Sequence, residues 1–255
     1  MKSSKKQIRI TVYFTPFHLD EMQLKDKNVV VIDVLRAGTS IAMALKNGAK
    51  EIIPVNNVEN AVKISGSLFG GVTLRAGERN SRMIEGFNLG NSPLEYTEEI
   101  VKGKTIILLT TNGSVAVVKG KHAKYLIVTG FVNMTAAVGS LVDLSEDFTI
   151  VCAGQENHFS IEDAVCAGRI INRFEKSVKA DILLNDAGLT STMLDKSFGK
   201  SILKMLKDSE HGKYLAEIGY SNDLKICSEL DSIDVLPCLI GNVIKIQPGK
   251  SQIKK

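Results

Sequence analysis

The residues of this chain best suited to chemistry are carboxylates, arginines and hydroxyls set in glycine-containing turns after apolar runs. Asp33 interrupts Asn28-Val-Val-Val-Ile-Asp33-Val-Leu35 near its carboxyl end. An unpaired buried charge is costly, so this carboxylate needs a metal, a cation or several donors beside it. It reads as a metal ligand or nucleophile at the carboxyl edge of a parallel sheet, where such folds place ligands. The other reading is a structural Asp bonded to backbone amides or to Arg36. Arg36, Gly38, Thr39 and Ser40 follow at a helix start, where a guanidinium and helix-terminal N–H groups suit phosphate or sulfonate; Thr39 or Ser40 would otherwise only cap the helix. Thr110-Thr-Asn-Gly-Ser114 repeats the device after a second apolar run. There Thr111, Asn112 and Gly113 can form a nest of amide donors, with Ser114 as a cap.

Further candidates are more scattered. Glu78 and Arg79 sit in Ala76-Gly-Glu-Arg-Asn-Ser-Arg82, either a solvated loop or a metal-binding carboxylate next to an anion-binding Arg. Ser160-Ile-Glu-Asp163 has the form of a capping box, which leaves Glu162 the freest of its members for a metal. His158 and His211 are the histidines in suggestive settings, and His211, beside Gly212, is the better proton donor or anion contact. The sequence lacks Cys-x5-Arg, Asp-x-Asp, Gly-x-Ser-x-Gly, His-Glu-x-x-His and P-loop patterns. A hydrolase built on this chain would therefore rely on a carboxylate-bound divalent ion and an activated water.

Such residues need a scaffold that brings strand ends together. Apolar, β-branched runs at residues 28–35, 51–55, 105–110, 125–129 and 148–154 alternate with helical patterns beginning near Ile41, Val115, Asn133 and Ile161. That alternation predicts an α/β fold with a largely parallel sheet flanked by helices. Ala76-Gly-Glu-Arg-Asn80 and Ala153-Gly-Gln-Glu-Asn157 echo each other, and each precedes a Ser-x-x-acid sequence. This echo points either to two similar lobes, 1–100 and 101–255, with the site between them, or to one compact unit with chance likeness of glycine turns. Residues 182–193 and 202–218 read as helices within a helical segment 181–220, and Asn242-Val-Ile-Lys-Ile246 as an edge strand.

Composition narrows the class. The chain has 255 residues, 44 % hydrophobic and 24 % charged, with a formal charge of +4, an ordinary globular composition. Much of the basic excess lies near the ends, in Lys2, Lys5, Lys6, Lys245, Lys250, Lys254 and Lys255, read as solvated tails. With no Trp and 5 % aromatics, base stacking on nucleic acid is not expected. No apolar run reaches membrane-spanning length. Cys152, Cys166, Cys227 and Cys238 show neither C-x-x-C nor zinc-site spacing, and no apolar signal region precedes the first strand, so reduced buried thiols and a cytoplasmic location are expected.

Taken together, these pieces resemble the 2-phosphosulfolactate phosphatase family of coenzyme M biosynthesis. The resemblance spans residues 29–237. It rests on Val31-Ile-Asp-Val-Leu-Arg-Ala37, Gly77-Glu-Arg79, Gly86-Phe-Asn-Leu-Gly-Asn-Ser-Pro93, Thr110-Thr-Asn-Gly-Ser114, Val151-Cys-Ala-Gly154, Phe159-Ser-Ile-Glu-Asp-Ala164 with Cys166-Ala-Gly168, and Ser209-Glu-His-Gly212. It implies Mg²⁺-dependent hydrolysis of (2R)-2-O-phospho-3-sulfolactate to 3-sulfolactate and phosphate, on an α/β fold distinct from the common phosphatases. Asp33 and Glu78, with Glu162, are then the expected metal ligands, and Asp33, Glu78 and His211 the expected catalytic groups. Arg36, Gly38, Thr39, Ser40, Arg79, Asn91, Thr111, Asn112, Gly113, Ser114 and Gly154 are the expected substrate contacts. The partner is a small anionic phosphoester, and a homodimer is left open. A phosphatase for another phosphorylated hydroxy acid and a non-catalytic binder of an acidic metabolite are the alternatives.

Overall fold

A computed structural model of the chain describes residues 6–67 and 72–247. The strands are β1 (Gln7–Tyr13), β2 (Asn28–Ile32), β3 (Glu51–Val55), β4 (Thr73–Arg79), β5 (Arg82–Met83), β6 (Thr105–Leu109), β7 (Tyr125–Thr129), β8 (Phe148–Cys152), β9 (Asp181–Leu184), β10 (Pro237–Ile240) and β11 (Val243–Ile246). The helices are α1 (Ala37–Lys46), α2 (Val58–Ser67), α3 (Glu98–Val101), α4 (Gly113–Lys119), α5 (Met134–Leu144), α6 (Ile161–Ser177), α7 (Asp186–Phe198), α8 (Ile202–Asp208), α9 (Glu210–Glu217) and α10 (Ser221–Ser228). The strands form one mixed, mostly parallel sheet in the order β5-β4-β6-β3-β11-β10-β7-β2-β8-β1-β9. Strands from residues 1–100 and from residues 101–255 are interleaved within it.

Two parallel sets make up the sheet. One is β4-β6-β3 and the other β7-β2-β8-β1-β9. Between them lie the antiparallel pairings β3 with β11, β11 with β10 and β10 with β7, so the two sets run in opposite senses.

Alternation along a strand explains why both faces are covered. In β2, Val30 and Ile32 belong to a core with Phe131, Val165, Ile170, Phe174, Leu206 and Leu215, while Val29 and Val31 belong to another with Ile41, Leu45, Ala116 and Val117. Helices α5, α6, α8 and α9 thus cover one face of β2, and α1 and α4 the other. Each fully buried Val, Leu, Ile or Phe adds about 1.5–3 kcal/mol of transfer free energy, which is why neither face tolerates a charge far from the strand ends.

Three expectations change. Residues 182–184 are not helical; as β9 they pair with β1 at the sheet edge, and the helix begins only at Asp186, capped by Asn185. The 202–218 helix is broken at Ser209, whose hydroxyl caps α9 by accepting from Gly212 N at 3.0 Å. The strand at 242–246 is interior, between β3 and β10, because the hairpin it forms joins the two parallel sets. Lys245 is accordingly no tail residue but pairs with Glu51 at 3.0 Å, and Lys6 donates to Ser145 O. Lys2, Lys5, Lys250, Lys254 and Lys255 lie outside the described residues. The four cysteines are free and buried.

Candidate active site

The chain turns sharply after β2, and that turn fixes Asp33. Its backbone carbonyl accepts from Gly38 N at 2.8 Å and its Oδ1 from Ala37 N at 3.0 Å. A Cβ on Gly113 would lie 2.4 Å from Asp33 Oδ2, so only glycine lets the turn after β6 close onto the carboxylate. Glu78, at the end of β4, joins that turn to the hairpin tip: Oε1 accepts from Thr111 N at 2.7 Å and Oε2 from Ser81 N at 2.8 Å. Asn112 Oδ1 accepts from Glu156 N at 3.0 Å, which ties the turn to the loop after β8.

These strand ends border a cleft lined in part by Asp33, Arg36, Glu78, Asn91, Thr111, Asn112 and His211. Arg36 is buried, donating to Asp223 Oδ2 at 2.8 Å and Ser81 O at 2.7 Å and stacking 4.2 Å from the Tyr220 ring centre. His211, on α9, faces Glu162 Oε1 with Nδ1 at 3.5 Å and Ser81 Oγ with Nε2 at 3.5 Å. Two buried polar atoms of the lining, Asn91 Oδ1 and Thr111 Oγ1, have no hydrogen-bond partner among the described residues.

Negative charge is concentrated here. Burial pushes the Asp33 carboxyl up to about 7; His211 and the Ala37 N–H oppose the rise, and the charges of Glu78 and Glu162 add to it. Burial, and next the Asp33 charge, raise Asp163 well above the carboxylate range, against the N–H groups of Val34 and Gly154 that it accepts at 2.9 and 3.0 Å. Carboxylates crowded in this way carry a standing demand for a cation.

Among the described residues no three His, Cys, Asp or Glu side chains are gathered into a metal cage. The donor types nevertheless fit Mg²⁺, which prefers oxygen, keeps several waters and usually takes one or two carboxylates plus substrate phosphates. Of the expected ligands, Asp33 lines the cleft, and Glu162 sits behind it against His211, near enough for its charge to raise the Asp33 carboxyl. Both oxygens of Glu78 already accept backbone N–H groups, so that carboxylate serves first as a brace between turns.

Several expected contacts stand outside the cleft lining, for identifiable reasons. A Cβ on Gly38 would meet the carbonyls of Asp33 and Thr129 at 2.6 and 2.7 Å, so this glycine packs inward. Thr39 Oγ1 donates to Val34 O at 3.3 Å and Ser40 Oγ to Asn91 O at 2.7 Å. Neither caps α1, whose N-cap is Arg36. Ser114 exchanges hydrogen bonds with Thr110, and Gly154 donates to Asp163. Arg79 is exposed and lies opposite Arg82 across the β4–β5 pairing. Ser160 caps α6 as expected, accepting from Asp163 N at 3.4 Å, and Glu162 reaches His211 instead of the lining. The sequence reading missed Ser81, Gln155, Glu156 and Tyr214 in the lining, and Asp223 and Ser92 behind it. Ser81 carried a signal in the Glu-Arg-Asn-Ser turn; Asp223, in an ordinary amphipathic stretch, carried none.

Residues 13–242 match the sequence profile of the 2-phosphosulpholactate phosphatase family. A relative from Caldanaerobacter subterraneus subsp. tengcongensis, described as a probable 2-phosphosulfolactate phosphatase, is 41 % identical over 236 residues, covering 92 % of this chain and 97 % of its own. Similarly described proteins from Clostridium botulinum (strain Eklund 17B / Type B) and Clostridium acetobutylicum are 37 % identical over 237 residues and 36 % over 230. These alignments cover 93 % and 90 % of this chain and 99 % and 97 % of the relatives.

Proposed function

Because the chain belongs to the 2-phosphosulfolactate phosphatase family, we propose that it hydrolyses (2R)-2-O-phospho-3-sulfolactate to 3-sulfolactate and phosphate with Mg²⁺ as cofactor. The observation that carries this reading is a cleft joining buried Asp33, Arg36 and His211 to two orphaned polar atoms, Asn91 Oδ1 and Thr111 Oγ1. Buried polar groups normally find partners, and a small polar ligand with its waters would supply them.

Asp33 and Glu162 would hold Mg²⁺, which when bound neutralises phosphoryl oxygens and favours attack by water at phosphorus. The residues of the chain do the rest. Arg36 presents fixed N–H donors to an anionic oxygen, and the turn holding Thr111 and Asn112 brings further polar groups to the same cleft. His211, with Nδ1 3.5 Å from Glu162 Oε1, would pass a proton from Nε2 to the leaving ester oxygen as its bond to phosphorus breaks. Water supplies the new P–O bond, and the products are the free hydroxy acid and phosphate.

Phosphate release from phosphosulfolactate, with and without EDTA, tests the proposal beside a panel of other phosphorylated hydroxy acids. Chelator-sensitive turnover, lowered in Asp33→Asn by about 10²-fold or more, is the expected result. Faster turnover of another panel member would reassign the substrate, and turnover indifferent to EDTA would remove the metal. Saturable binding with no phosphate released from any ester would leave a metabolite binder.

A further inference from the structure

Arg36 lines the cleft, yet its side chain is held from behind. Asp223, 1 % exposed on α10, accepts from Arg36 Nη1 at 2.8 Å with Oδ2 and from Ser92 Oγ at 2.7 Å with Oδ1. Ser81 O accepts from Nη2 at 2.7 Å, and the Tyr220 ring covers one face of the guanidinium. Asp223 and Ser92 are not part of the cleft lining.

A buried ion pair is a poor device for stability alone, because desolvating both charges offsets much of their attraction. What this pair supplies is direction. With its second oxygen fixed by Ser92, the Asp223 carboxylate cannot rotate, and a fork held at both terminal nitrogens cannot swing. Arginine carries five N–H donors in a rigid plane, so donors beyond those given to Asp223 and Ser81 keep one fixed orientation. We propose that Asp223, locked by Ser92, is a positioning residue that aims the Arg36 guanidinium at an anionic oxygen of the substrate. This rests on the functional reading above, in so far as that reading places an anion in the cleft.

The test measures KM and kcat for phosphosulfolactate, and separately the affinity for inorganic phosphate by calorimetry, in Asp223→Asn, Arg36→Lys and the double variant. In Asp223→Asn, KM rises and phosphate affinity falls by about tenfold or more while kcat changes by less than about threefold, the pattern of lost binding common to ground and transition states. The double variant loses little beyond Arg36→Lys, since the two residues act as one unit. Unchanged KM and phosphate affinity in folded Asp223→Asn, or fully additive losses, would overturn the proposal. If Asp223→Asn does not fold, Ser92→Ala decides the matter: a weakening of about threefold or more supports positioning, and unchanged affinity refutes it. A wild-type protein that binds phosphate but does not hydrolyse phosphosulfolactate would fail the functional reading while leaving the binding comparison valid.

Discussion

Asp33 sits where a strand runs out of core, and its proton is governed by that place. Because burial raises its folded pKa to about 7 from the ordinary carboxyl value of 3.8, between those values the metal-free folded chain holds a proton that the unfolded chain has lost. The associated stability, on the order of a few kcal/mol, is complete below about pH 4 and is lost as pH rises through about 7. Urea unfolding in EDTA should therefore show stability falling across that window, and Asp33→Asn should flatten the fall and exceed wild type at neutral pH. The same variant should lose turnover, so stability and activity move in opposite directions, as expected of a functional group whose burial costs stability. His211 is the second residue whose setting gives it work. His211→Gln should lower kcat by about 10²-fold or more with a smaller effect on KM, read from steady-state phosphate release.

At the scale of elements, the site depends on how closely segments approach. Helix α6 carries Glu162 and Asp163 in its first turn and packs along α7 through Gly168, where a Cβ would lie 1.9 Å from Ser191 O. Gly168→Ala should push the helices apart and cost about 1–3 kcal/mol by overpacking, read as a lower urea midpoint at unchanged slope. Helices α9 and α10 bring His211 and Asp223 to the site from late in the chain, and Tyr214 OH holds the hairpin tip by donating to Asn80 O at 3.1 Å. That tip contains Asn80 and Ser81 with positive φ of 50° and 60°, a conformation uncommon for such residues. Its partners in α9 and in Glu78 keep it in place.

For the whole molecule, the interleaved sheet has a mechanical consequence. Two parallel sets of opposite sense are stitched by β10 and β11 into one hydrogen-bonded array. Unfolding either set would strip pairing and core from the other, so calorimetry should show one transition with matching calorimetric and van't Hoff enthalpies. Two resolved transitions would instead divide the chain into lobes near residue 100. No helix among the described residues is long and apolar enough to cross a membrane. The charge that matters is local, a group of carboxylates set beside Arg36 and His211 in one cleft, against which a formal +4 spread over the chain says little.

The alternation of β-branched runs with helical patterns determined the α/β class, because a strand apolar on both faces has to be covered on both. The turns around Asp33, Glu78 and Thr110–Ser114 were legible for a similar reason: charge and glycine at the end of an apolar run have few structural uses. The sequence could not tell which side chains of those turns face the cleft. Gly38, Thr39, Ser40 and Ser114 have the composition of an anion site but satisfy nearby backbone groups, a choice set by helix and strand packing. Nor could it place β9, whose strand state comes from pairing with β1 far away in the chain. Asp223 was invisible for the same cause: a carboxylate on an amphipathic helix acquires its role only when tertiary contacts bury it against Arg36 and Ser92. Local pattern records what a segment can be, whereas the partners that consume a hydrogen bond or a charge are fixed only when distant segments meet.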